Sequence, residues 1–97
     1  MEPIFALIRM KNLVANNQFL LVKRKAKHAT PVTKELAKVI VSYLSIEDFI
    51  KEEEDRQFPN TYVWIYETTY GSKYYIKFKF KNKGNLIVFI SFHEALY

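Results

Sequence analysis

Lys73-Tyr74-Tyr75-Ile76-Lys77-Phe78-Lys79-Phe80 and, after a short turn, Leu86-Ile87-Val88-Phe89-Ile90-Ser91-Phe92-His93 decide how this chain folds. Each stretch alternates with period 2 and is rich in β-branched or aromatic residues, so each reads as a strand. Asn82-Lys83-Gly84-Asn85 lies between them and tolerates positive φ, which predicts a hairpin with a four- or five-residue loop. Continuous alternation places Tyr74, Ile76, Phe78 and Phe80 on the core side together with Leu86, Val88, Ile90 and Phe92. The opposite face then carries Lys73, Tyr75, Lys77 and Lys79 beside Ile87, Phe89, Ser91 and His93. If Phe80 pairs with Leu86, Tyr75 lies opposite Ser91 and Lys73 opposite His93, at Cβ separations of roughly 5 Å. A phenol, a hydroxyl, an imidazole and several ammonium groups share that face, which makes it the place to look for function.

The chain upstream reads as helices. Pro3 suits a first helical turn, and Ile4, Leu7, Ile8, Lys11 and Leu13-Val14 recur at helical spacing until Ala15-Asn16-Asn17 breaks it, giving a helix over about 3–15. Gln18 to Val22 reads as either a short strand or a buried connection. The basic run Lys23-Arg24-Lys25-Ala26-Lys27-His28 suits a phosphate-binding arm or a solvated loop. Thr30-Pro31 signals a second helix over about 32–44, with Leu36, Val39, Ile40, Tyr43 and Leu44 as its apolar stripe. Ser45-Ile46-Glu47-Asp48 resembles a capping box, so a third helix is expected over about 46–54 with an acidic, solvated outer face. Gln57-Phe58-Pro59-Asn60 is a loop, Thr61 to Glu67 a strand and Tyr70-Gly71-Ser72 a turn. The expected architecture is α+β, with N-terminal helices packed on one face of a C-terminal antiparallel sheet.

Composition narrows the function. At 97 residues, 49% of them hydrophobic, the chain suits a single domain over residues 1–97 with one core. No apolar run approaches the roughly 18 residues that cross a bilayer. The start Met1-Glu2-Pro3 is unlike a secretory signal. Cysteine is absent, which excludes disulfides and cysteine zinc sites and fits a cytoplasmic protein. Two histidines, His28 and His93, argue against a dedicated metal site, and no glycine pattern for nucleotide cofactors occurs. The net charge of +5 hides an asymmetry, because six of the ten acids lie within residues 47–55. Outside 47–56, thirteen Lys/Arg stand against four acids, a balance of +9. Such a surface attracts polyanions, although lysines also keep small proteins soluble, so charge alone leaves both readings open.

The residue types on the hairpin face suit one reaction in particular. In metal-free RNA cleavage the 2′-hydroxyl is the nucleophile, so a protein need only remove its proton, neutralise the developing phosphorane and protonate the leaving oxygen. Ser91 beside His93 makes no hydrolase triad, since no buried acid or oxyanion donors accompany it. The rival readings are a non-catalytic module that binds nucleic acid through its basic face, and a nuclease that cuts mRNA only on the ribosome.

The order of elements and several strings resemble the MqsR family of toxin ribonucleases, within the wider RelE-like superfamily. Met10 to Gln18 is similar to the family's opening helix and its exit. Val39-Ile40-Val41-Ser42-Tyr43-Leu44-Ser45-Ile46-Glu47-Asp48-Phe49-Ile50-Lys51 resembles its second helix and the Asp-Phe-x-Lys signature that follows. Tyr75-Ile76-Lys77 and Ile90-Ser91-Phe92 resemble its final hairpin, so the likeness runs over about residues 8–95. The resemblance implies a RelE-like fold and the toxin of a type II toxin–antitoxin system. It implies an mRNA interferase that cuts single-stranded mRNA without a metal or other cofactor and is neutralised by a cognate antitoxin. The family's active-site lysine falls on Lys51 and its tyrosine on Tyr75, while its lysine after the terminal Ser-Phe is His93 here. Its glutamine after the strand tryptophan is Ile65 here, and the loop beyond is shorter, which implies altered substrate positioning. Together these readings make Lys51, Tyr75, Lys77 and His93 the candidate catalytic groups: His93 as acid or base, Tyr75 on the phosphate or a proton, and the two lysines as transition-state cations. Lys23, Arg24, Lys25, Lys73 and Lys79 are the candidate RNA-binding groups.

Overall fold

The structure, a computed structural model, describes residues 1–22 and 32–95. Helix α1 spans Pro3–Ala15 and α2 spans Lys34–Tyr43, followed by a single 3-10 turn at Ile46–Asp48. The strands are β1 (Phe19–Leu21), β2 (Phe49–Glu54), β3 (Tyr62–Tyr70), β4 (Ser72–Lys81) and β5 (Leu86–Glu94). They form one five-stranded sheet in the order β1-β5-β4-β3-β2. The architecture is α+β, but the sheet is mixed: β3 to β5 make the expected antiparallel meander, β2 extends it, and β1 joins β5 in parallel. A three-residue apolar segment carries no periodicity, so only this pairing identifies it as a strand. No helix among the described residues is long and apolar enough to cross a membrane.

Both helices pack on one face. Leu7, Met10, Leu13 and Val14 of α1 and Ala37, Ile40 and Val41 of α2 form one core with Trp64, Tyr66, Ile76, Phe78, Ile87, Phe89 and Phe92 of the sheet. Phe78 lies at its centre, with ring contacts to Trp64, Tyr66, Phe80 and Phe89. Burying each such large apolar side chain stabilises the fold by roughly 1.5–3 kcal/mol. Polar ties fix the layers: Lys11 donates to the Ser42 and Leu44 carbonyls at the end of α2, and Arg9 donates to the Gly84 carbonyl and the Asn85 side chain in the β4–β5 turn. In that turn Asn82, Lys83 and Gly84 all have positive φ, which only a sequence rich in Asn and Gly adopts readily.

Three expectations are corrected. First, no third helix forms over 46–54. Asp48 accepts from the Ser45 N–H at 2.9 Å, as the capping pattern suggests, but the helix ends after one 3-10 turn and the chain becomes β2. The open edge of β3 needs hydrogen-bond partners, and an acid-rich run gains little from helical packing, so sheet pairing prevails. Ile46 and Ile50, apolar residues of that expected helix, are exposed, and Phe49 packs against Tyr66. Second, the hairpin register is one step from the expected one. Leu86 pairs with Lys81 rather than Phe80, and a bulge between Lys77 and Phe78 on β4 is matched by the extra residue Ile90 on β5. Ile87 and Phe89 therefore face the helices, in place of Val88 and Ile90, and beyond the bulge Phe92 does so too. Tyr75 lies opposite His93, and Lys77 opposite Ser91. Third, α2 begins at Lys34 with Thr33 as its cap, the Thr33 hydroxyl accepting from the Leu36 N–H. Its buried side is Ala37, Ile40 and Val41, while Val39 and Tyr43 are exposed. The Thr30-Pro31 signal lies outside the described residues.

Candidate active site

The sheet face away from the helices carries the candidate site. Alternation along β4 sends Tyr75, Lys77 and Lys79 to it. The bulge in β5 restores the parity that sends Ser91 and His93 the same way. Successive rungs can be read across the strands. The first is Glu67–Tyr75–His93 and the second Lys51–Ile65–Lys77–Ser91; beyond them Glu53 pairs with Val63 and Lys79 with Val88. Lys51, Tyr75, Lys77 and His93 thus occupy two adjacent rungs.

Tyr75 and His93 are half-buried, and their rings stack with centroids 5.5 Å apart and planes 25° apart. His93 Nδ1 lies 3.1 Å from the Glu94 carbonyl oxygen. That oxygen only accepts, so Nδ1 carries the proton and Nε2 is the nitrogen left to exchange one. Burial, reinforced by Glu53 and Glu67 and opposed by Lys51, raises the Tyr75 phenol above its ordinary value, so it is protonated at neutral pH. The phenol of this pair therefore serves as a hydrogen-bond donor, and the imidazole is its candidate proton-transfer group.

Carboxylates face the lysines. Glu53 bridges two of them, its oxygens 3.2 Å from Lys51 Nζ and 3.5 Å from Lys77 Nζ. The hydrogen bond from Lys51 leads in lowering the Glu53 carboxyl pKa, aided by the charges of both lysines against some desolvation. Lys73 pairs with Glu67 at 3.3 Å. Lys79, only 8% exposed, differs from the other candidate RNA-binding lysines: its ammonium lies 3.0 Å from Asp55 and 4.6 Å from the centre of the Phe58 ring. Asp55 is held below the usual carboxylate range by the Gln57 backbone N–H first and by Lys79 second. Beside these rungs opens a cleft of about 570 Å³, with Val63, Val88 and Ile90 as apolar lining and Glu53, Lys77 and Arg56 among its charged groups. Lys23, Arg24 and Lys25 lie outside the described residues. Among the described residues no three His, Asp or Glu side chains are grouped to hold a metal ion.

Sequence reasoning missed Glu53 and Asp55 as partners of these lysines, because it read the acidic run as a solvated helical face, and it assigned no partner to Glu67 at the end of its strand. The signal for Glu53 and Asp55 was the alternation of Lys51, Glu53 and Asp55, which sends all three to one side of a strand.

The comparison with family models returns a match over residues 2–94 to MqsR_toxin, described as motility quorum-sensing regulator, toxin of MqsA. The chain belongs to the MqsR toxin family. Membership makes it a toxin of a toxin–antitoxin system, with an antitoxin as partner; for the family that antitoxin is MqsA. Neither a curated protein nor a solved structure gives a significant match. Within the MqsR-like chain, Lys51, Tyr75 and His93, the three positions singled out by family resemblance, lie on one sheet face. Ile65 is buried between Lys51 and Lys77 on the second rung.

Proposed function

We propose that this MqsR-family toxin is a metal-independent endoribonuclease, an mRNA interferase that cuts single-stranded RNA by attack of a 2′-hydroxyl on the adjacent phosphorus. The O2′–P bond forms, the P–O5′ bond breaks, and the products are a 2′,3′-cyclic phosphate and a 5′-hydroxyl. His93 Nε2 carries the proton transfer near neutral pH, and the Tyr75 hydroxyl donates a hydrogen bond to a phosphate oxygen. Lys77 and Lys51 neutralise the phosphorane with the ammonium groups that now pair with Glu53. Lys73 and the basic segment Lys23-Arg24-Lys25 hold the flanking backbone, together with Lys79 where substrate draws it from Asp55. The observation that carries this reading is the stacked Tyr75–His93 pair one rung from Lys77.

The test is incubation of purified protein with a single-stranded RNA in EDTA, followed by end-group analysis. New 2′,3′-cyclic phosphate and 5′-hydroxyl ends are expected. Intact free RNA would reject the reading, and cleavage confined to translating ribosomes would replace it with a ribosome-dependent one.

A further inference from the structure

We propose that Glu53 is the general base of this site, taking the 2′-hydroxyl proton while His93 protonates the leaving 5′-oxygen. The proposal rests on the ribonuclease reading and completes its proton inventory. Cleavage needs one group that accepts a proton and one that donates it. The lysines of the face are cations beside carboxylates, and the Tyr75 phenol keeps its proton, so none of them accepts one at neutral pH. If His93 were the base, the acid would have to be a phenol or an ammonium group, each far too weak near pH 7. A carboxylate base leaves the imidazolium free to act as the acid.

Geometry selects Glu53 as that carboxylate. From edge strand β2 its side chain reaches across β3, where Val63 and Ile65 are apolar, to Lys77 on β4. His93 approaches β4 from the other side, its ring against Tyr75. Glu53 and His93 thus flank the Tyr75 and Lys77 side chains of β4 from opposite sides, the placement that an in-line displacement asks of its base and acid. The Glu53 side chain is 37% exposed, open to substrate. The charged and titratable groups around it are Lys51 on β2, Asp55 and Arg56 just beyond it, Lys77 and Lys79 on β4, and Tyr75 beyond Lys77. Those facing His93 are Tyr75 on β4, the Glu94 carbonyl, and Lys77 on the next rung. When a substrate phosphate enters, it shares the two ammonium groups that now hold Glu53. The carboxylate loses part of that stabilisation and becomes a stronger base at the moment it is needed. The proton passes from O2′ to Glu53 as O2′–P forms, and from His93 to O5′ as P–O5′ breaks.

The experiment measures single-turnover cleavage of one defined oligonucleotide against pH for the wild type, Glu53→Gln and Glu53→Asp. Affinity is measured on an uncleavable 2′-deoxy copy of the same strand. The wild type is expected to give a bell, with a carboxylate on the acid limb and an imidazolium on the alkaline limb. In Glu53→Gln the rate should fall roughly 10²–10⁴-fold and the acid limb should vanish, while affinity for the deoxy strand is kept or increased. Glu53→Asp should restore part of the rate together with the acid limb. If Glu53→Gln, or Glu53→Ala should the first not fold, cleaves as fast as or faster than wild type with the limb unchanged, Glu53 is only a counter-ion competing with phosphate, and the proposal fails while the ribonuclease reading stands. A wild type that cleaves nothing overturns both.

Discussion

Tyr75 is a phenol held in its protonated form, and that fixes what it can do. Burial raises it above its ordinary value, so at neutral pH it is a hydrogen-bond donor. Tyr75→Phe keeps the ring stacked on His93 and removes only the hydroxyl. The expected result is a loss of cleavage rate of about 10-fold to 10³-fold with the alkaline limb unmoved, read from a pH–rate profile. Asp55 makes a different kind of prediction. Its pKa is depressed in the folded chain by the Gln57 N–H and by Lys79, so it favours folding above its unfolded pKa. That contribution is lost as pH falls through the folded value, in the acid range below ~4. Asp55→Asn should therefore be less stable than wild type at neutral pH and lose less stability on acidification, as thermal melts across pH would record. Melts of the two proteins that stay parallel down to strongly acid pH would show that the Lys79–Asp55 pair contributes nothing.

Between residues and fold lies the bulge in β5. Ile87, Phe89 and Phe92 face the helices, and the odd step between Phe89 and Phe92 is absorbed at Ile90. Deleting Ile90 leaves Phe89 followed by Ser91, which are already opposite Phe78 and Lys77, so the ladder closes as a regular strand. The deletion variant should fold with a cooperative melt and keep His93 beside Tyr75, visible as retained NMR contacts between the two rings. Inserting an alanine after Ile90 instead forces either a wider bulge or the burial of His93, and should cost both stability and activity. A deletion variant that unfolds would show that the bulge itself is required. The same element shows how far sequence could lead. Alternation gave both strands of the hairpin and placed Tyr75 and His93 on the correct face, since that half of β5 lies beyond the bulge. It misassigned Leu86 to Ile90, because period 2 carries no mark of a skipped residue. It lost β2 as well: an acidic run after a capping pattern favours a helix locally, and the unpaired edge of β3 that overrides it appears only once the sheet is assembled. The bounds of helix α1, with Pro3 at its start and Asn16-Asn17 at its end, were written in local signals. Its buried side, however, is Ala6, Leu7, Met10, Leu13 and Val14, and Ile4 and Ile8 of the expected repeat are exposed.

At the scale of the whole molecule, one face of the sheet holds the helices and the other is left with lysines, carboxylates and an aromatic pair. The net charge of +5 and the pairing of Lys51, Lys73, Lys77 and Lys79 with acids mean that RNA must displace internal counter-ions as well as salt. Binding of an uncleavable strand should therefore weaken steeply between 50 and 200 mM salt, with a log–log slope of about −0.7 for each phosphate neutralised. Affinity independent of salt would move the RNA off this face. The account as a whole turns on His93 moving a proton beside Tyr75. Its most direct measurement is the single-turnover rate of His93→Ala against wild type on one oligonucleotide in EDTA, with folding checked by a thermal melt. The predicted result is a fall of roughly 10²–10⁴-fold with the fold intact. A folded His93→Ala protein that cuts within a few-fold of the wild-type rate would contradict it.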